Sequence, residues 1–183
     1  MEKNQLRDAY IQNIQKLSTD YKQHASHDIC QLLKQWLNKH TPNRLGAFFP
    51  VRNEPNIWPI LISFAKNNTL YLPKFNQNNK AYDWALYKEP LMKSKFNIPE
   101  PATACKKPPQ LDACLVPAIG IDTNGNRIGW GHGYFDRLLT TDIPHRIGII
   151  FDCQIIPHNI PVDTWDVALT DKITEAHNPV ISL

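Results

Sequence analysis

Apolar residues at Leu6, Tyr10, Ile14 and Leu17 recur at steps of three and four, which predicts an amphipathic helix near the start of the chain. A second stripe of Ile29, Leu32, Leu33, Trp36 and Leu37 predicts another helix, with Ser26 or Asp28 placed to cap it. Beyond Pro42 the period changes. The run Leu45 to Phe49, closed by Pro50, reads as a short buried strand. Glu54-Pro55 then opens a helix, and Pro59 fits it only if the helix proper begins nearby. Thr69 to Leu72 reads as the next strand. Strand, helix, strand in that order implies a crossover and a parallel pair.

Residues 88–110 hold five of the fifteen prolines and little periodic pattern, so an ordered connection across the surface is expected there. Leu111 to Pro117 resumes as a strand, and Ile119 to Asp122 extends it. Thr123-Asn124-Gly125-Asn126 is a turn signal, with Asn-Gly suited to positive φ. Tyr134 to Leu139 is expected to be helical, Arg146 to Phe151 a strand, and Trp165 to Leu169 a further short strand. The order of elements predicts an α/β fold: a single three-layer domain over residues 1–183, with a mostly parallel central sheet flanked by helices.

Composition narrows the function. The 183 residues carry a net charge of +3, 42% hydrophobic and 20% charged residues, which marks a globular chain. Apolar runs such as Trp58 to Ala65 are far too short to cross a bilayer. The charged start has no apolar signal-peptide core, and Cys30, Cys105, Cys114 and Cys153 form no C-x-x-C pair. A reduced, cytoplasmic protein is expected. The pI near 8.6 permits an anionic ligand. Lysines and arginines are spread along the chain and no RNA-stacking motif occurs, so a nucleic-acid-binding module is the weaker alternative.

Only seven glycines occur, and five lie between Gly120 and Gly133. The densest block is Asn126-Arg-Ile-Gly-Trp-Gly-His-Gly-Tyr-Phe-Asp-Arg137. Gly129, Gly131 and Gly133 alternate before the expected helix, whose N-terminus would attract phosphate. Arg127 and Arg137 flank the loop with forked donors, and Asp136 could hold a metal brought by phosphate. The spacing is not G-x-G-x-x-G, and no G-K-[ST] follows. On the residues alone, a phosphate cradle and a tight turn packing a helix on a sheet fit equally well.

The block Arg127 to Arg137 resembles the R-x-G-x-G-x-G-Y-[YF]-D signature of the 5-formyltetrahydrofolate cyclo-ligase family. Leu115-Val-Pro117 and Asp122-Thr-Asn-Gly125 match the strand and turn that precede it. Lys3 and Arg7 match an amino-terminal K-x-x-x-R, Phe49 to Glu54 a strand-then-glutamate block, and Asn97-Ile-Pro-Glu-Pro101 an E-P element. Pro161 to Asp166 matches a block that ends on an acidic residue. The likeness spans almost the whole chain, as one cyclo-ligase-like domain.

The resemblance implies ATP- and Mg2+-dependent closure of 5-formyltetrahydrofolate to 5,10-methenyltetrahydrofolate, with release of ADP and phosphate. It implies ATP contacts from Lys3, Arg7, Arg127, Ile128, Gly129, Trp130, Gly131, His132, Gly133, Tyr134 and Phe135. Folate contacts are implied for Phe49, Glu54, Trp130 and Tyr134, and magnesium contacts for Asp136 and Asp166. Arg127 and Asp136 carry the catalytic roles. A monomer acting on folate, polyglutamylated or not, with neither nucleic acid nor membrane as partner, is the matching expectation. The runner-up is a relative of the same fold that has lost cyclo-ligase activity or acts on another substrate.

Each residue also has a plainer role. Lys3 and Arg7 suit a solvated helix face, Asp136 a surface charge beside Arg137, and Asp166 a turn cap. Glu54 suits the first turn of a helix, and the aromatics suit a core. Two positions depart from the family pattern. His132 stands where relatives carry glycine or a basic residue, and Phe135 replaces the commoner second tyrosine and its hydroxyl.

Overall fold

The computed structural model describes residues 2–51, 53–131, 133 and 135–176. The chain opens with helices α1 (Lys3–Lys16) and α2 (Thr19–His40), strand β1 (Arg44–Gly46), helix α3 (Trp58–Ala65) and strands β2 (Thr69–Asn76) and β3 (Ala81–Leu86). It continues through β4 (Met92–Lys93), β5 (Pro99–Glu100), β6 (Ala113–Pro117), β7 (Gly120–Asp122) and β8 (Arg127–Ile128). It ends with β9 (His145–Ile149), β10 (Ile155–Ile156) and β11 (Asp171–Ile173).

The second helix starts earlier than its apolar stripe suggests. Ser18, rather than Ser26 or Asp28, caps it, with Oγ accepting the Tyr21 N–H at 3.1 Å. Its first turns are mostly polar, so periodicity misses them. Ser26 lies inside the helix, where its Oγ accepts the N–H of Asn56 at 3.0 Å and ties α2 to the loop before α3. That third helix begins at Trp58 with Pro59 in its first turn, so Glu54-Pro55 belongs to the loop before it.

The mostly parallel central sheet has the order β11-β9-β6-β1-β2-β3, and only β3 runs antiparallel to its neighbour. The expected β1–α3–β2 crossover is present, with Leu45 beside Leu70. From β1 the chain moves outward through β2 and β3, then returns to the other side of β1 with β6. Strand order therefore reverses between β1 and β6, and ligands in open α/β sheets settle in the crevice beyond the strand ends at such a point.

Alternation along the strands feeds two cores. Leu45, Leu70, Leu115 and Ile147 pack with Ile29, Leu33, Trp36 and Leu61 from α2 and α3. Cys114 and Val116 belong instead to a cluster with Trp84, Leu138, Leu139, Ile143 and Leu169. The latter cluster is closed by irregular chain. The expected helix over Tyr134 to Leu139 is one turn, with the N–H groups of Leu138 and Leu139 both donating to the Phe135 carbonyl. Thr140, Thr141 and Pro144 follow, and β-branching and proline both disfavour continuation. Tyr134 itself lies outside the described residues.

The expected strand over Trp165 to Leu169 is also absent. Trp165 is 68% exposed, in a turn closed by Asp166 N–H to the Asp163 carbonyl at 3.0 Å. Leu169 donates its N–H to the Gly125 carbonyl at 2.8 Å, which holds this segment to the 122–126 turn. The sheet edge goes to β11, in register with β9. A smaller sheet, β10-β7-β8, packs its Ile119, Ile128 and Ile156 side against Leu6 of α1.

Candidate active site

The turn that leads into the glycine block is organised by one carboxylate. Asp122 is 0% exposed. Its Oδ1 accepts the backbone N–H groups of Asn124 at 2.9 Å and Asn126 at 2.8 Å. Its Oδ2 accepts from the Asn126 amide at 2.9 Å and from the Ile160 N–H at 3.1 Å. These bonds fold the β7–β8 hairpin and deliver Arg127 to the crevice beside β6.

The Arg127 side chain is only 5% exposed. One terminal nitrogen donates to Asp136 Oδ1. The Nε is buried and has no hydrogen-bond partner among the described residues. Burial pushes the guanidinium pKa down, while the charges of Asp136 and Asp166 work against that shift. An arginine nevertheless stays charged. Leaving a buried donor unmade costs about 1–3 kcal/mol, so an acceptor at the Arg127 Nε–H would be favoured.

Arg127 borders a cavity of about 240 Å³. Phe48 and Phe49 beyond β1 and Pro117 at the end of β6 form its base, which places it at the reversal of strand order. Gly129, Trp130, Gly133, Phe135 and Asp136 bring in the glycine block, and Val51 and Glu54 bring in the loop before α3. Leu72, Pro73, Tyr82, Phe96, Ile98 and Glu100 complete the wall.

Glu54 joins two of these segments. Its Oε2 accepts the Val51 N–H at 2.9 Å, and its Oε1 accepts the indole N–H of Trp130 at 3.2 Å. Phe49 packs on Trp58 with ring centroids 4.6 Å apart. The Phe135 ring meets Trp84 edge-on at 6.2 Å, so the residue replacing a tyrosine also serves the core. Ile128 buries its side chain under α1. His132 and Tyr134 lie outside the described residues.

The first helix closes the other side of the glycine block. Arg7 Nε donates to the Gly129 carbonyl at 2.8 Å. Gly131 has φ of 94°, a left-handed conformation, and a Cβ there would lie 3.4 Å from the Arg7 guanidinium carbon. Lys3 Nζ bonds Asp163 at 2.8 Å and Asp166 at 2.6 Å. Burial raises the Asp166 carboxyl, but the Asp163 N–H and Lys3 together hold it below the ordinary carboxylate value. Lys3 is raised in turn by its two carboxylates against the pull of burial.

Lys3, Asp166, Arg127 and Asp136 thus form a chain of alternating charge across three distant segments of sequence. The plainer roles coexist with it: Asp166 also accepts the Asp163 N–H, and Glu54 also holds its own turn. Sequence reasoning gave no role to Asp163, Asp122, Tyr82, Phe96 or Glu100. For Glu100 a signal existed, an acid between two prolines in the Asn97 to Pro101 block.

The 5-formyltetrahydrofolate cyclo-ligase family model matches residues 1–175. The chain belongs to that family. A 5-formyltetrahydrofolate cyclo-ligase of Mycoplasma pneumoniae is 28% identical over 172 residues, spanning 92% of this chain and 96% of its own. One from Haemophilus influenzae is 27% identical over 174 residues, spanning 88% and 91%. The NMR structure of the Aquifex aeolicus 5,10-methenyltetrahydrofolate synthetase matches with a TM-score of 0.82 at 26% identity, covering 97% of this chain and 91% of its own. The synthetase structure from Mycoplasma pneumoniae matches with a TM-score of 0.73 at 27% identity, covering 96% and 99%. The span matched by the cyclo-ligase family model takes in Lys3 at one end and Asp166 at the other.

Proposed function

We propose that this chain is a 5-formyltetrahydrofolate cyclo-ligase that uses ATP to form 5,10-methenyltetrahydrofolate, ADP and phosphate. The observation that carries the reading is Arg127, a buried cation on the wall of an apolar cavity whose Nε–H has no partner among the described residues. Such a group suits an anion beside a flat, largely apolar ligand. Family membership supplies the folate.

The need for ATP follows from the substrate. A formamide carbonyl is a poor electrophile, and its oxygen is a poor leaving group. Transfer of the γ-phosphoryl to the formyl oxygen breaks the bond to ADP and leaves an N5-iminium phosphate. N10 attacks the formyl carbon intramolecularly, loses its proton, and phosphate departs with the former formyl oxygen. The protein's work is then positioning and charge neutralisation. Arg127 accepts the phosphoryl charge, and Lys3 and Arg7 approach the triphosphate from α1. The Gly129 to Phe135 backbone lets phosphate come close, and Phe49, Trp130, Glu54 and Tyr134 are the residues for the pterin.

Magnesium fits the donor set. Among the described residues no three His, Cys, Asp or Glu side chains cluster to hold a metal. Asp136 and Asp166, both within electrostatic reach of Arg127, offer two carboxylates, and Mg2+ typically takes one or two and keeps its waters. When bound, it would supply charge withdrawal from the phosphates. Lys3 and Arg127, now paired with those carboxylates, join Arg7 as cations for the triphosphate.

The same reading has residues 1–183 working as one domain, a monomer in the cytoplasm, on folate with or without a polyglutamate tail. The four free cysteines suit a reducing compartment. The test is direct: folded protein with 5-formyltetrahydrofolate, ATP and Mg2+ is expected to generate the near-ultraviolet absorption of the methenyl product. No turnover at saturating ATP and Mg2+ would overturn the proposal.

A further inference from the structure

Glu100 is a buried carboxylate on the cavity wall to which the reaction above gives no part. It sits on the two-residue strand β5, paired with β4, and its side chain is 9% exposed. Its Oε1 accepts from Lys74 Nζ at 3.1 Å, and its Oε2 accepts the Phe75 N–H at 3.0 Å. The reason it reaches β2 is topological. Pairing of β1 with β2 ends at Gly46 opposite Tyr71, so the edge of β2 beyond that point lacks a ladder partner on this side. Glu100 satisfies one of those backbone donors, and Lys74 balances its charge.

Two bonds do not exhaust a carboxylate. Its two oxygens offer about four acceptor positions, so about two remain. The neighbours on that wall are Leu72, Pro73, Tyr82, Phe96 and Ile98, an apolar setting in which any ligand N–H must find an acceptor. A pterin ring carries an amino group with two N–H bonds on opposite sides. A carboxylate that takes the paired ring donors uses one of them and leaves the other. Besides Glu54, the carboxylates on the cavity are Asp136, already bound to Arg127, and Glu100.

We infer that Glu100 is a second substrate-binding carboxylate, accepting the remaining N–H of the pterin amino group and so selecting ligands with an amino-substituted ring. This inference rests on the folate reading above and adds a specificity residue to it. It predicts that Glu100 acts on folate affinity and leaves nucleotide affinity alone.

The test is equilibrium binding of 5-formyltetrahydrofolate, and of its analogue lacking the ring amino group, to wild type and Glu100→Gln, with thermal unfolding recorded for both proteins. Glu100→Gln is expected to weaken 5-formyltetrahydrofolate at least tenfold, to weaken the analogue less than twofold, and to leave the KM for ATP within twofold. Equal loss for the two ligands, or none for either, would assign Glu100 to holding β2 alone and overturn the inference. Failure of wild type to bind 5-formyltetrahydrofolate would overturn the folate reading along with it. If Glu100→Gln does not fold, Glu100→Asp, which keeps the charge but withdraws it by one methylene, is read on the same two ligands with the same expected selectivity.

Discussion

Arg127 is the residue on which stability and chemistry meet. Its guanidinium is taken out of water, and among the described residues its side-chain hydrogen bond goes to Asp136. Removing either partner leaves a charge in a poor environment. Asp136→Asn is therefore expected to lower stability by about 1–3 kcal/mol, because a neutral amide replaces a charged acceptor. Denaturant unfolding checks this, and an unchanged midpoint would mean Asp166 alone suffices to neutralise the arginine. Turnover is expected to fall as well in this variant, since the proposed function gives the same carboxylate the magnesium that accompanies the phosphates. Arg127→Lys separates the two effects. Lysine keeps the charge and loses the fork, so the fold is retained while kcat falls by about 10²–10³, the usual loss for a donor aimed at transition-state charge. Steady-state rates at saturating ATP measure it, and a wild-type kcat would remove Arg127 from the chemistry.

At the scale of elements, α1 is held to the site by its polar residues as well as by its apolar face. Lys3 grips the 163–166 turn, Arg7 grips the glycine block, and Leu6 packs beneath. The Asp166 carboxyl is depressed in the folded protein, so its stabilising contribution is present above the unfolded carboxylate pKa. That contribution is lost as pH falls through the folded value. The difference in Tm between wild type and Asp166→Asn is accordingly expected to be largest near neutrality and to vanish in acid. The part-exposed pair limits it to about 1 kcal/mol, and a difference that grew on acidification would refute the assignment. How far the sequence discloses these elements depends on their length. The crossover from β1 to β2 and the stripe of α2 were legible because burial imposes a period on several residues. The glycine block was legible because few sequences spend glycine that way. Two-residue strands such as β5 have no period to read, so the Asn97 to Pro101 block showed an acid between prolines but not its place on the cavity wall. Trp165, Val167 and Leu169 imitate a strand, and only the Leu169 bond to Gly125 shows why they are not one. Leu138 and Leu139 suit a helix or a single turn alike, so sequence alone does not separate the two.

On the scale of the whole molecule, the site is assembled from segments far apart in sequence. They include α1, the end of β1 with its loop to Glu54, β2, β3, the β5 region, the end of β6, the glycine block and the 163–166 turn. None of them carries the site alone, and the sheet is what brings them together at its reversal point. Ligand binding is therefore coupled to global unfolding, since losing any one segment dismantles the cavity. At a ligand concentration one hundred times Kd the stabilisation is about 2.7 kcal/mol. For a chain of this length each kcal/mol moves Tm by about 2–4 °C, so a rise of roughly 5–11 °C is expected. Folate and nucleotide occupy different ends of the arrangement in the proposed function, and their effects should be separable. In Arg127→Lys the shift given by ATP with Mg2+ is expected to shrink while the shift given by 5-formyltetrahydrofolate persists. Glu100→Gln should do the reverse. If both variants lose both shifts equally, the two ligands share one subsite, and the division of the cavity into a phosphate end at Arg127 and a ring end at Glu100 is wrong.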